Sequence, residues 1–163
     1  MTTLRFTQIT DLHLGSARDS TLAGVRTAES FESVLQAVER QGRGSDMLLL
    51  TGDLSADCDP QAYQILNQIL VEEGKQAIWL PGNHDNFDLM VANLVDYPPI
   101  QVKAAGNWAV LTLDSSQPHK PGGHISEEQL EQIAQNLESH TDKFVFLAIP
   151  HSPGAVGCYW RYS

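Results

Sequence analysis

DMLLLTGD, residues 46–53, contains an unbroken apolar run, Met47-Leu48-Leu49-Leu50, that stops at a turn carrying a carboxylate, Gly52-Asp53. A short continuous run of this kind reads as a strand buried on both faces, the signature of a parallel sheet with helices packed against it. The same unit recurs on both sides. Upstream, residues 27–40 (TAESFESVLQAVER) set Phe31, Val34, Leu35 and Val38 at helical spacing, and residues 4–9 (LRFTQI) read as a short strand. Downstream, Asp59-Pro60 is an N-cap followed by proline at the first helical position. The helix it opens puts Ala62, Ile65, Leu66, Ile69 and Leu70 on one face and closes at Gly74. Residues 76–80 (QAIWL) form a third strand, and a shorter helix at about 86–95 presents Phe87, Met90, Val91 and Leu94.

Pro98-Pro99 ends that unit, and two strands, 100–104 and 107–113, come next as a hairpin joined at Gly106-Asn107. Ser126 and Gln129 make a capping box for a helix with Leu130, Ile133, Ala134 and Leu137 inward. Residues 143–149 (KFVFLAI) are the last clear strand. Strands alternating with helices predict an α/β fold with a largely parallel sheet, and the hairpin marks a change of topology. The 163 residues show no repeat or linker and read as a single domain, 1–163.

Aspartate and glutamate outnumber lysine and arginine by 20 to 10, for a formal charge of −10. Such a surface disfavours nucleic acid polymers and anionic membranes as partners, because both require a basic footprint. It suits a cation. No apolar run approaches the ~20 residues needed to span a bilayer, and Met1-Thr2-Thr3-Leu4-Arg5-Phe6 lacks the signal-peptide pattern. Cys58 and Cys158 form no CxxC and read as reduced thiols, so a cytoplasmic protein is expected.

The strand ends carry the functional signal. Asp11-Leu12-His13 comes after the first strand, Gly52-Asp53 after the second, Gly82-Asn83-His84-Asp85 after the third, and His151-Ser152-Pro153 after the last. Each alone is ordinary turn chemistry. Together they are expected at one edge of one sheet, outside the carboxyl ends of its strands, where open parallel sheets bind ligands. Carboxylate, amide and imidazole donors suit divalent Mn²⁺, Fe²⁺ or Zn²⁺. Two such ions ~3.5–4 Å apart need a bridging ligand, and Asp53 is the lone carboxylate at its strand end. Asp11 and His13 would then hold one ion, and Asn83 and His151 the other. His84 comes directly after a ligand and is free to act on substrate, with Asp85 placed to orient it. There is no GxxxxGK[ST] or GxGxxG loop, and the first strand end has Asp-x-His rather than the Asp-x-Asp of aspartate-nucleophile hydrolases.

The run D11-x-H13, G52-D53, G82-N83-H84-D85 and H151 resembles the calcineurin-like metallophosphoesterase superfamily. ITDLHL (9–14), TGDLSAD (51–57), AYQ (62–64), WLPGNHD (79–85), LDS (113–115), ISEEQL (125–130) and GCYW (157–160) are similar to one branch, the bacterial class III 3′,5′-cyclic-AMP phosphodiesterases. The resemblance implies an αββα sandwich and a metal-dependent phosphodiesterase acting on cyclic AMP or a related small phosphodiester. A metal-bridging hydroxide would attack phosphorus. It assigns metal binding to Asp11, His13, Asp53, Asn83 and His151, and substrate contact to Asn83 and His84.

Two departures stand out. The branch carries a run of histidines where this chain has only His151, before Ser152-Pro153. The family's Gly-His-x-His block, one histidine to each metal, is not found in these residues. His140, at a helix end, and His119 and His124, in a Pro/Gly-rich loop, read as surface histidines, with His124 the one that could line a cleft. The resemblance therefore predicts an incomplete second sheet whose strands at 100–113 lack partners. Trp108, Val110, Leu111, Tyr159, Trp160 and Tyr162 would be left as an uncovered face for self-association. It also leaves open a non-catalytic chain that retains partial metal and nucleotide binding.

Overall fold

A computed structural model describes residues 4–41, 45–117, 120 and 122–151. The elements are β1 (Phe6–Ile9), β2 (Thr21–Leu22), β3 (Val25–Arg26), α1 (Thr27–Arg40), β4 (Met47–Thr51) and α2 (Pro60–Glu72). They continue with β5 (Ala77–Leu80), α3 (Phe87–Asn93), β6 (Val102–Ala105), β7 (Trp108–Thr112), α4 (Glu127–Ser139) and β8 (Phe144–Ala148). The first sheet runs β1-β4-β5, all parallel, with Ile9 opposite Leu50 and Thr51 opposite Leu80. A second sheet runs β6-β7-β8.

The central strand of the first sheet is buried on both faces, as its apolar run requires. Leu48, Leu50 and Trp79 face a core shared with Phe31 and Leu35 of α1, Leu66 and Leu70 of α2, and Met90 of α3. Met47, Leu49, Ile78 and Leu80 point the other way and meet Val110 and Ala148 of the second sheet. Phe6 stacks on Phe146 across the same interface, centroids 5.8 Å apart. On the outer side of the second sheet α4 lies near Leu111 and Leu147, with Ile133 sharing a cleft with both. The layers are helix, sheet, sheet, helix. Among the described residues no helix is long and apolar enough to cross a membrane.

Local sequence accounts for the element ends. Asp59 accepts from the Gln61 N–H, with Pro60 at the first helical position. Ser126 and Gln129 form the reciprocal capping box. The β6–β7 hairpin turns at Gly106-Asn107 with a positive φ at Gly106 alone, as a type II′ turn with glycine first demands.

Four expectations are corrected. The last strand does not join the first sheet: β8 pairs with β7 in parallel, from Trp108–Phe144 to Thr112–Ala148, so His151 arrives from the second sheet. An apolar run fits either sheet, and pairing with β7 buries Ala148 against the first sheet. For the same reason β7 does not lack partners, since β6 and β8 flank it, and Val110 and Leu111 are buried. The uncovered apolar surface lies on β8, where Phe144 is 65% exposed. The inward face expected of α4 is only partly realised, because no residue of α4 is buried and Leu130 is 53% exposed. Similarly, Val34, Phe87 and Val91 are exposed while Phe31, Leu35, Met90 and Leu94 carry the packing. Cys158, Tyr159, Trp160, Tyr162 and His119 lie outside the described residues.

Candidate metal centre

Beyond the ends of β1 and β4 the two chains keep running side by side. The Asp11 N–H donates to the Gly52 carbonyl at 3.1 Å, His13 to Asp53 at 2.9 Å and Leu14 to Leu54 at 3.0 Å. This continued ladder is possible because Asp11, His13 and Asp53 adopt left-handed backbone, with φ of 57°, 44° and 50°. Non-glycine residues seldom hold that conformation, which costs of order 1–3 kcal/mol each and clusters at functional sites. Here it turns three donor side chains toward one point.

Asp11, His13 and Asp53 each offer a donor atom within 4.8 Å of the others. His13 Nε2 lies 3.8 Å from Asp11 Oδ1 and 3.9 Å from Asp53 Oδ2. Donors bound to one ion at ~2.0–2.2 Å sit no more than about 4.4 Å apart, so the two His13 separations fit a shared divalent cation. Asp11 is at the mouth, its side chain 59% exposed, and Asp53 forms the floor at 16%.

The loop after β5 closes on Asp53 from the other side. The His84 N–H donates to Asp53 Oδ1 at 3.1 Å, leaving Oδ2 toward His13. Asn83 sits between Gly82 and His84, both of which touch Asp53, so the structure brings this predicted ligand beside the predicted bridge. Gly82 permits that approach: a Cβ there would lie 2.1 Å from Asp53 Oδ1 and 2.4 Å from its backbone nitrogen. Gly82→Ala is therefore expected to displace Asp53 and lower metal affinity by at least the ~10–100-fold that lost outer-shell support costs. Titration with Mn²⁺ followed by calorimetry checks this.

His84 is exposed, and its ring lies edge-on to His13 with centroids 5.3 Å apart. Its Nδ1 is 3.1 Å from the Ala56 carbonyl. A carbonyl only accepts, so Nδ1 carries a proton and Nε2 is left for other work. The orienting role expected of Asp85 thus belongs to Ala56. Asp85 instead accepts from the Leu54, Ser55 and Gly82 N–H groups and from the Tyr63 hydroxyl. It ties the loops after β4 and β5 to each other and to α2.

Burial, and then the Asp85 charge, push the Tyr63 hydroxyl far above its ordinary range, so it remains a donor. Burial, with Asp85 and Asp57, also raises the Cys58 thiol, which keeps its proton and donates to the His84 carbonyl. The thiol is thus spent on the loop after β5, and the three-residue donor group does not include it.

His151 stands outside the three-residue group. Its Nδ1 is 3.0 Å from Ser115 Oγ, and it packs against Gly123, where a Cβ would lie 2.7 Å from the His151 Cβ. With Nδ1 anchored, Nε2 is the nitrogen left for a ligand role. His124 is exposed and donates its N–H to the Ser115 carbonyl, and His140 caps α4 with Nδ1 at the Asn136 carbonyl. Sequence reasoning missed Tyr63, Ser115 and the β2–β3 hairpin at 21–26. The first two lie in AYQ (62–64) and LDS (113–115), stretches that carry the resemblance, but the sequence alone assigns them no role.

A family model described as calcineurin-like phosphoesterase matches residues 4–160. The chain is 35% identical over 160 residues to the 3′,5′-cyclic adenosine monophosphate phosphodiesterase CpdA of Escherichia coli (strain K12), covering 96% of this chain and 58% of that protein. Against CpdA of Vibrio vulnificus the identity is 32% over 160 residues, with 96% and 58% covered. A 3′,5′-cyclic-nucleotide phosphodiesterase of Nostoc sp. is 34% identical over 155 residues, with 94% and 58% covered. The chain thus spans about 58% of the length of each of these relatives.

Proposed function

Because the chain belongs to the calcineurin-like phosphoesterase family, we propose that its strand-end site hydrolyses a small phosphodiester, 3′,5′-cyclic AMP, with two divalent ions. The observation carrying this reading is the convergence of Asp11, His13 and Asp53 within 4.8 Å, beside an imidazole whose Nε2 meets no partner among the described residues. Asp11, His13 and Asp53 would hold one ion, and Asp53, Asn83 and His151 the second. Fe²⁺, Mn²⁺ and Zn²⁺ all suit these donors. When bound, the pair supplies Lewis-acid stabilisation of the phosphoryl charge and a nucleophile competent near neutral pH.

The chain's own residues do the rest. Asp53 accepts the His84 N–H at Oδ1 and turns Oδ2 toward His13, and from this position it would hold both ions. His84, its Nδ1–H held by the Ala56 carbonyl, donates from Nε2 in its doubly protonated form to a phosphoryl oxygen or to the departing alkoxide, and is left as the neutral Nδ1–H imidazole. General acid assistance of this kind is worth ~10²–10⁴-fold, so His84→Ala is expected to lower kcat by that order while metal content is unchanged. Loss of metal in that variant would reassign His84. The excess of acidic groups favours a small substrate over a polymer. Turnover of cyclic AMP, cyclic GMP, bis-p-nitrophenyl phosphate and single-stranded DNA in Mn²⁺ tests the proposal; metal-independent turnover or preference for DNA refutes it.

A second reading, metal and nucleotide binding without turnover, has one observation on its side: His151 is engaged with Ser115 and lies outside the three-residue group. Metal uptake without hydrolysis of any of the four substrates is its expected result.

A further inference from the structure

The wall of the metal centre that Asp11 and His13 form is also the inner end of a second feature. A cleft of about 310 Å³ opens from these two residues between α1 and the β2–β3 hairpin. Leu22 and Val25 of the hairpin face Phe31 and Val34 of α1 across it. Leu22, Val25 and Val34 are each exposed, an unusual grouping of apolar side chains on a surface with so many carboxylates. The hairpin is held by its turn: Ala23 and Gly24 have φ of 50° and 83°, the two successive positive values of a type I′ turn. The hydroxyl-bearing Thr27 and Ser30 line the cleft as well, but among the described residues no lysine or arginine does.

We propose that this cleft holds the nucleobase of the substrate while its phosphodiester sits at the metal centre. The assignment rests on the proposed phosphodiesterase reading and extends it to the non-reacting end. Charge selects the occupant. Away from the metal centre the described lining offers no lysine or arginine to hold a second phosphate, and its apolar walls accept a flat neutral group. Its volume is at the low end of small-molecule sites, ~300–1,000 Å³, which admits one nucleoside unit and no polymer. Contiguity with Asp11 and His13 puts base and phosphate within one molecule's reach.

The test uses adenosine, which has no phosphate and needs no metal. Titrated into the ¹⁵N-labelled chain, it is expected to shift the amides of Leu22, Val25 and Val34. Leu22→Ser and Val25→Ser change exposed positions that the core does not use, and a thermal melt verifies their folding. Each removes apolar contact with the base and is expected to weaken adenosine binding about tenfold while inorganic phosphate binding in Mn²⁺ stays unchanged. Adenosine shifts confined to other residues, or variants that bind adenosine as the parent does, overturn the assignment. A chain that cleaves bis-p-nitrophenyl phosphate without binding adenosine overturns the cleft alone. A chain that binds adenosine at the hairpin but cleaves no phosphodiester supports the cleft and refutes the hydrolytic reading.

Discussion

Asp53→Asn is expected to abolish metal-dependent hydrolysis and to lower metal content at both positions. The aspartate has two acceptor oxygens in use: Oδ1 takes the His84 N–H at 3.1 Å, and Oδ2 lies 3.9 Å from His13 Nε2. An amide has one acceptor oxygen and one NH₂ donor, so either rotamer leaves one side facing a donor. If the NH₂ turns to His84, two N–H groups collide and the loop after β5 is pushed off. If it turns to His13, the shared cation position loses its floor. Losing a ligand outright should cost more affinity than the ~10–100-fold typical of an outer-shell partner. Elemental analysis after dialysis against excess Mn²⁺ decides it. Metal content equal to that of the parent would remove Asp53 from the bridging role.

Asp85→Ala is expected to be the most destabilising single change near the site. It leaves the Leu54, Ser55 and Gly82 N–H groups and the fully buried Tyr63 hydroxyl without their acceptor. An unsatisfied buried donor costs about 1–3 kcal/mol, so a combined loss of about 3 kcal/mol or more is expected. Asp85→Asn retains one acceptor oxygen and should recover part of it. Tyr63→Phe loses a single hydroxyl, which also accepts from the Asn86 N–H, and should cost about 1–2 kcal/mol. Urea midpoints for the three variants give the ranking. Equal midpoints for Asp85→Ala and Tyr63→Phe would mean that the carboxylate is not the knot of the two loops.

The donor residues are legible in the sequence because each comes after a short apolar run, and strand ends are where a parallel sheet presents its loops. Helix α1 is legible over its whole length, and the caps Asp59 and Ser126 are legible because they are local hydrogen-bond motifs. Strand partnership is not. KFVFLAI has the same apolar character whether it extends β5 or flanks β7, and the choice lies in contacts more than 30 residues apart, such as Trp108 with Phe144. The β2–β3 hairpin escapes because two-residue strands carry no period, although Ala23-Gly24 marks its turn. Asp85 misleads for a different reason. Adjacency to His84 suggests a partner, whereas the backbone turn sends the carboxylate back toward three N–H groups and leaves the imidazole to a carbonyl of another loop.

The uneven packing of the two sheets divides the molecule by how readily it opens. Leu48, Leu50, Leu66 and Leu70 are sealed between the first sheet and its helices, while α4 on the far side buries no residue completely. Amides in the well-packed part are expected to exchange only on global unfolding, and those of α4 through low-energy local excursions. Asp11, His13 and Asp53 belong to the first part. Ser115 and His151 belong to the second, hung on β7, β8 and the loop that leads into α4. The candidate donors are thus divided between a firmly packed part and a looser one. Movement of the Ser115–His151 part would then leave the spacing of Asp11, His13 and Asp53 undisturbed.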